Sequence, residues 1–590
     1  MVQTNVNWIF LLSFMLMAEA QDPKVLTTIG EIIGRKVTKP LEEIKKLQKE
    51  VIYREVHEYL GVPFAQPPTG DLRFKKPVEL KSLKSPFYAQ NHGAVCPQNA
   101  VIFNISSRES SEDCLFLNIY VPVRPADRPS GHAVMIWIHG GGFTEGAGRV
   151  YDGGNMALSG NIIVVTINYR LGMFGFLSTD DENAPGNFGL WDQHLAFKWV
   201  NAHIESFGGD NERVTIAGES AGAMSVTQHG LFPENQGLFQ RIIAQSGSIT
   251  IPLRDFEQPL FDNTLLVAKM LNCNTENSDF IMVCLRNASS ETILRAFFQL
   301  SYRVNFGPII DGDLIKVNPQ KIAKSAEELK EIEFFRSVDF LSGFNAYEGA
   351  FLWATVLSRG NIETIQPTRR EMSTSLLPFM LNRIFKSGLN PGTMKVIEAQ
   401  YTDWENPFDS SSIRLQITKM LGDSNFGVPA IEMARLHIKS NESRPNNFMY
   451  HFRPKPSVVT LQTPSWIPGS NHMDELPFMF GMVDILGKVA GNEWETELAS
   501  KMVAYWTNFV KSGNPNIPEQ VTPNWPEYSL DTGDFLNLDK TMSNTSADIS
   551  TRRRLTSGWT YFRNWSVPKK KSAFKIMRQA QLFIYIQIVY

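Results

Sequence analysis

The sequence predicts an α/β fold, a large and mostly parallel sheet wound on both sides by helices, and three features carry that expectation. Residues 134–138 and 162–167 are apolar runs without in/out alternation, as strands covered on both faces require. A helical stretch at 191–204 follows, with apolar residues at Leu195, Ala196, Trp199 and Val200. A β-branched strand at 213–217 then breaks at Gly218-Glu219-Ser220-Ala221-Gly222 into a second helix beginning at Ala221. The order β-β-α-β-turn-α belongs to a doubly wound sheet, and residues 242–247 and 338–343 read as its next strands.

The 590 residues are 43% hydrophobic and 20% charged, which places the chain among globular proteins with a large core. No composition shift, linker or internal repeat divides it, so a single unit over 21–565 is expected, with a basic then apolar tail at 566–590. A net charge of −3 gives no electrostatic footprint for nucleic acid. The clusters Arg552-Arg553-Arg554 and Lys569-Lys570-Lys571 read as solvated surface.

Residues 1–20 read as a secretory signal: an apolar run at 8–17, too short to span a bilayer, then Ala18-Glu19-Ala20 as a small-x-small cleavage site. An extracellular route predicts paired cysteines. The four present, Cys96, Cys114, Cys273 and Cys284, allow three connectivities, of which the sequential one closes two short loops. Glycosylation sequons stand at Asn104, Asn287, Asn441, Asn544 and Asn564. The apolar segment 582–590 is too short to cross a membrane. A glycolipid-anchor signal using Ser572-Ala573 is opposed by its charged spacer and short tail. Nothing in the sequence sets an oligomeric state.

Chemistry concentrates at the strand-to-helix turn. A serine between glycines on such a turn is presented as an exposed nucleophile, because a Cβ on either flank would strike the neighbouring elements. Ser220 is therefore the expected nucleophile. The triple glycine Gly140-Gly141-Gly142 follows a buried strand, where main-chain N–H groups can face a developing oxyanion; Gly141, Gly142 and Ala221 are the expected donors. A serine hydroxyl also requires a base, and the base an acid, in the chain order Ser, acid, His. Of ten histidines, His437, His451 and His472 come well after Ser220, while many carboxylates could supply the acid. No His/Cys cluster has metal-ligand spacing, and the chemistry calls for no cofactor.

Five motifs in order carry a resemblance: Tyr59-Leu60-Gly61-Val62-Pro63-Phe64-Ala65-Gln66-Pro67-Pro68, Ser111-Glu112-Asp113-Cys114-Leu115-Phe116-Leu117-Asn118-Ile119, His139-Gly140-Gly141-Gly142-Phe143, Asn168-Tyr169-Arg170-Leu171-Gly172, and Phe207-Gly208-Gly209-Asp210 leading into the turn. From about Gly30 to Trp559 the chain resembles the type-B carboxylesterase/cholinesterase family of α/β hydrolases. The resemblance implies the α/β-hydrolase fold and the disulfides Cys96–Cys114 and Cys273–Cys284. It selects His472, within Asn471-His472-Met473-Asp474-Glu475, as the base, and Glu348, in Tyr347-Glu348-Gly349, as the acid. Asp339 is a weaker acid candidate because it lies within the predicted strand. Ser225 and Glu219 are implied as supporting residues around the site.

The function so implied is that of a secreted serine carboxylesterase acting on small-molecule esters through an acyl-enzyme. The loop after Cys96 has no tryptophan, is shorter than its cholinesterase counterpart and offers only Phe103 as an aromatic, which argues against a choline site. Tyr302, Val304 and Phe306 are expected to line the acyl pocket. The competing readings are a catalytically silent, neuroligin-like adhesion protein and, within the fold, a cholinesterase or a lipase.

Overall fold

The strands expected to be buried on both faces are so buried. The computed structural model describes residues 21–45, 48–99, 105, 109–251, 256, 258–300, 304–322, 329–353, 362–384, 391–438, 445–481 and 493–542. The segments 1–20 and 566–590, both basic clusters, the sequons at Asn104, Asn441, Asn544 and Asn564, and Phe103 and Tyr302 lie outside the described residues.

In chain order the strands are β1 (Lys24–Thr27), β2 (Gly30–Ile33), β3 (Arg35–Lys45), β4 (Gln48–Pro63), β5 (Phe87–Tyr88), β6 (Phe116–Pro122), β7 (His132–Ile138), β8 (Ile163–Ile167), β9 (Gly209–Glu219), β10 (Arg241–Gln245), β11 (Asp339–Asn345), β12 (Asn447–Phe452) and β13 (Leu536–Leu538). Among the described residues, β1, β2 and β5 make a small sheet, and the other ten form one sheet in the order β13-β12-β11-β10-β9-β7-β8-β6-β4-β3. From β13 to β8 every neighbouring pair is parallel; β6, β4 and β3 add an antiparallel edge.

Every residue of β7 and β8 is buried, and alternate side chains feed two cores. Val134, Ile136 and Ile138 join the larger core, which also takes Leu195, Ala196, Trp199 and Val200 from the helix Phe188–His203. Ala133, Met135 and Trp137 join the other, with Leu498, Met502, Trp506 and Phe509 from the helix Glu493–Ser512. Helices thus cover both faces, and burying each large apolar side chain contributes about 1.5–3 kcal/mol before ordering entropy is counted.

The strand order also fixes where a site can form. The chain runs from β7 to β8 on one side and then crosses to β9 on the other, so the winding reverses between β7 and β9. Ligands of open α/β sheets bind outside the carboxyl ends of strands at such a switch point. There β7 runs into the triple glycine and β9 into Ser220.

Gly222 shows how tightly the turn is packed: a Cβ there would lie 2.0 Å from the Ile138 carbonyl oxygen, and one on Gly218 would lie 2.6 Å from the Gly222 carbonyl carbon. Gly222→Ala is expected to cost about 3 kcal/mol or more, since the obstacle is backbone. A thermal melt checks this, and an unchanged midpoint would contradict it. Cys96 pairs with Cys114 and Cys273 with Cys284, leaving no free cysteine among the described residues. Asn287 is exposed at the end of the helix Ser278–Asn287.

Candidate active site

Ser220 sits at the turn with φ 57° and ψ −119°, a conformation that costs a non-glycine residue about 1–3 kcal/mol and persists only where its surroundings enforce it. The enforcement is visible. The Ser220 N–H donates to the Gln245 carbonyl at 2.9 Å, and the helix Ala221–Gly230 starts at the next residue. Ser225 reinforces that helix: its hydroxyl donates to the Ala221 carbonyl at 2.9 Å and accepts from Gln193 Nε2 at 3.1 Å.

His472 reaches the same place on the connection after β12, and Glu348 on the turn after β11. His472 Nδ1 lies 2.6 Å from Glu348 Oε2, while Glu348 Oε1 accepts the Asn345 N–H at 2.7 Å. A carboxylate only accepts, so Nδ1 carries a proton, and in the neutral imidazole it is Nε2 that holds the lone pair. The rings of Phe351 and Phe426 pack against the imidazole at centroid distances of 4.6 and 4.7 Å. Asp339 is elsewhere, paired with Arg241 at 3.3 Å at the start of its strand.

A second carboxyl flanks the imidazole. Glu219 is fully buried, and its Oε1 lies 3.1 Å from His472 Nε2. Burial disfavours the His472 imidazolium, but the carboxylates of Glu219, Glu348 and Glu475 outweigh it and hold the group up at about 9. Burial likewise pushes the Glu219 carboxyl well above the usual range. The close pair therefore keeps a proton that a solvated pair would release. Behind it, Glu475 accepts from Asn345 Nδ2 at 2.6 Å and from Gln245 Nε2 at 3.2 Å.

A cavity of about 300 Å³ opens beside His472; Ser220, His472, Gly141, Gly142 and Ala221 all line it. The glycines have φ of 98° and 63°, open to residues without a side chain. A match to the carboxylesterase family model covers residues 21–556, nearly the whole chain. The chain belongs to the carboxylesterase family. Its relatives include mouse (Mus musculus) carboxylesterase 1C, 33% identical with 88% of this chain and 90% of that protein covered. Rat (Rattus norvegicus) pyrethroid hydrolase Ces2e is 34% identical over 82% of each chain. Rat bile salt-activated lipase is 32% identical over 85% of this chain and 80% of that one.

Of the residues expected to line the acyl pocket in this carboxylesterase-family fold, Val304 and Phe306 are among the described residues. Both are buried in the large core; Phe306 also lines the cavity, and Val304 is not among the residues lining it. The walls include Met224, Ile251, Phe351, Leu352, Phe426 and Met473, none of which the sequence singled out. Their apolar character gave no signal, because wall and core residues have the same composition. The contacts of Asn345 and Glu475 around Glu348 and His472 were also missed; the position of Glu475 three residues after His472 was the available clue.

Proposed function

We propose that this carboxylic ester hydrolase works through an acyl-enzyme on Ser220, with His472 as general base and acid, Glu348 as its orienting carboxylate, and the N–H groups of Gly141, Gly142 and Ala221 as the oxyanion hole. The observation that carries the reading is the imidazole fixed at Nδ1 by Glu348 at 2.6 Å, in a cavity that Ser220 and the glycines also line. In the proposed cycle, Ser220 Oγ attacks the ester carbonyl while His472 Nε2 takes its proton. The tetrahedral oxyanion rests on the three N–H groups. Collapse expels the alcohol, which takes the proton from Nε2, and water repeats the sequence to release the acid.

The substrates we propose are small, largely apolar esters, since the cavity walls are mainly aromatic and aliphatic and its volume is at the lower end for small-molecule sites. The two disulfides support passage through an oxidising, secretory compartment, and among the described residues no helix is long and apolar enough to cross a membrane. We take 21–565 as one catalytic unit. The likeness to a bile salt-activated lipase supports one further comparison, dissolved against micellar substrate.

The test is turnover of short-chain p-nitrophenyl esters by the purified protein, together with stoichiometric labelling by an organophosphate and mapping of the adduct. Turnover with one adduct on Ser220 is expected. A folded protein that neither turns over nor labels would reject the reading in favour of a silent binding protein.

A further inference from the structure

Oxyanion-hole N–H groups work only if their peptide planes face the right way, and glycines do not hold a plane by themselves. In a trans peptide the N–H of one residue points opposite to the C=O of the residue before it. What grips the carbonyls of Gly140 and Gly141 therefore aims the N–H groups of Gly141 and Gly142. The Gly140 carbonyl is met at 2.8 Å by Nδ1 of His139, a histidine that burial holds down at about 4 and therefore neutral. The Gly141 carbonyl accepts the Thr144 N–H at 3.0 Å, the Glu145 N–H at 3.1 Å and the Thr144 hydroxyl at 3.1 Å.

The backbone torsions of the segment do not by themselves fix these planes. Gly141, Gly142 and Phe143 all have positive φ, at 98°, 63° and 62°. Phe143 is anchored, because its carbonyl accepts the Gly172 N–H at 2.7 Å and its ring packs on Phe176 at 5.1 Å. Freedom to rotate a peptide plane is thus confined to the glycines. Rotating the plane between Gly141 and Gly142 would replace an N–H with a carbonyl oxygen where negative charge develops. The Thr144 hydroxyl is the side-chain contact that opposes this rotation.

We infer that Thr144 is a positioning residue for the oxyanion hole: its hydroxyl, by holding the Gly141 carbonyl, keeps the Gly142 N–H turned toward the reacting carbonyl. The inference rests on the proposed role of those N–H groups. Deleting a direct donor costs about 10²–10³ in rate, and loosening one that stays in place should cost less, about 5–20-fold in kcat.

The experiment compares wild type with Thr144→Val, Thr144→Ser and, should the valine variant fold poorly, Thr144→Ala. Each is assayed on p-nitrophenyl acetate, butyrate and hexanoate, and titrated with a trifluoromethyl ketone that adds reversibly to the nucleophile and presents an oxyanion. Thr144→Val is expected to lose kcat by a common factor on all three esters, with KM within about 2-fold, and to lose ketone affinity by a similar factor. Thr144→Ser should recover wild-type values within about 2-fold, as it restores the hydroxyl. Unchanged kcat in Thr144→Val, a serine variant as impaired as the valine one, or a loss that varies with acyl length would each overturn the inference. Failure of the underlying mechanism is separable: wild type would then carry no organophosphate adduct on Ser220.

Discussion

Ser220→Ala is expected to lower kcat by about 10⁶-fold, the scale on which removing the nucleophile of a serine hydrolase disables the whole catalytic unit. The fold should be indifferent. An alanine at this position would inherit the same strained turn, whose geometry is imposed by the Gln245 carbonyl and the close approach of Gly222 to Ile138 rather than by the hydroxyl. The variant's thermal midpoint should stay within about 3 °C of wild type, as expected for a partly exposed side chain outside the core. Residual activity above about one part in a hundred would mean that another nucleophile acts, because the oxyanion hole and binding alone give far less.

How much of this was legible in the sequence depends on whether a residue's role is local. The buried strands were, because apolar runs at 134–138 and 162–167 have one physical explanation. Their ends were less so: β9 extends from Gly209 to Glu219, beyond the apolar stretch that announced it. The elbow was legible because close backbone approach admits only glycine at 218 and 222. The proposed acid was not, since Glu348 is singled out by a contact with a residue 124 positions away and residue spacing says nothing about it. Resemblance supplied it instead. The cavity walls were least legible. Phe306 and Val304 are two residues apart and both buried in the large core, yet only Phe306 also lines the cavity.

Glu348→Gln tests the acid directly, and its effect follows from the proton on Nδ1. In wild type the carboxylate accepts that proton at 2.6 Å and also accepts the Asn345 N–H at 2.7 Å. A glutamine would keep the second bond with its carbonyl oxygen and turn its NH₂ toward the imidazole. Nδ1 would then have to accept, the proton would move to Nε2, and the base would have no lone pair for the serine proton. A loss of about 10⁴ in kcat is expected, as for the same change in other triads. The pH profile supplies an independent sign. Glu348 is among the carboxylates that raise His472 to about 9, so removing its charge lowers the imidazole. Turnover needs the neutral form and is lost as pH falls through that value, so the acid limb of the residual activity should move to lower pH. Glu348→Asp, which retains the charge on a shorter arm, should recover part of kcat and leave the limb nearer wild type. A loss below about 10-fold in Glu348→Gln would remove Glu348 from the triad; an acid limb displaced to higher pH would contradict the electrostatic account.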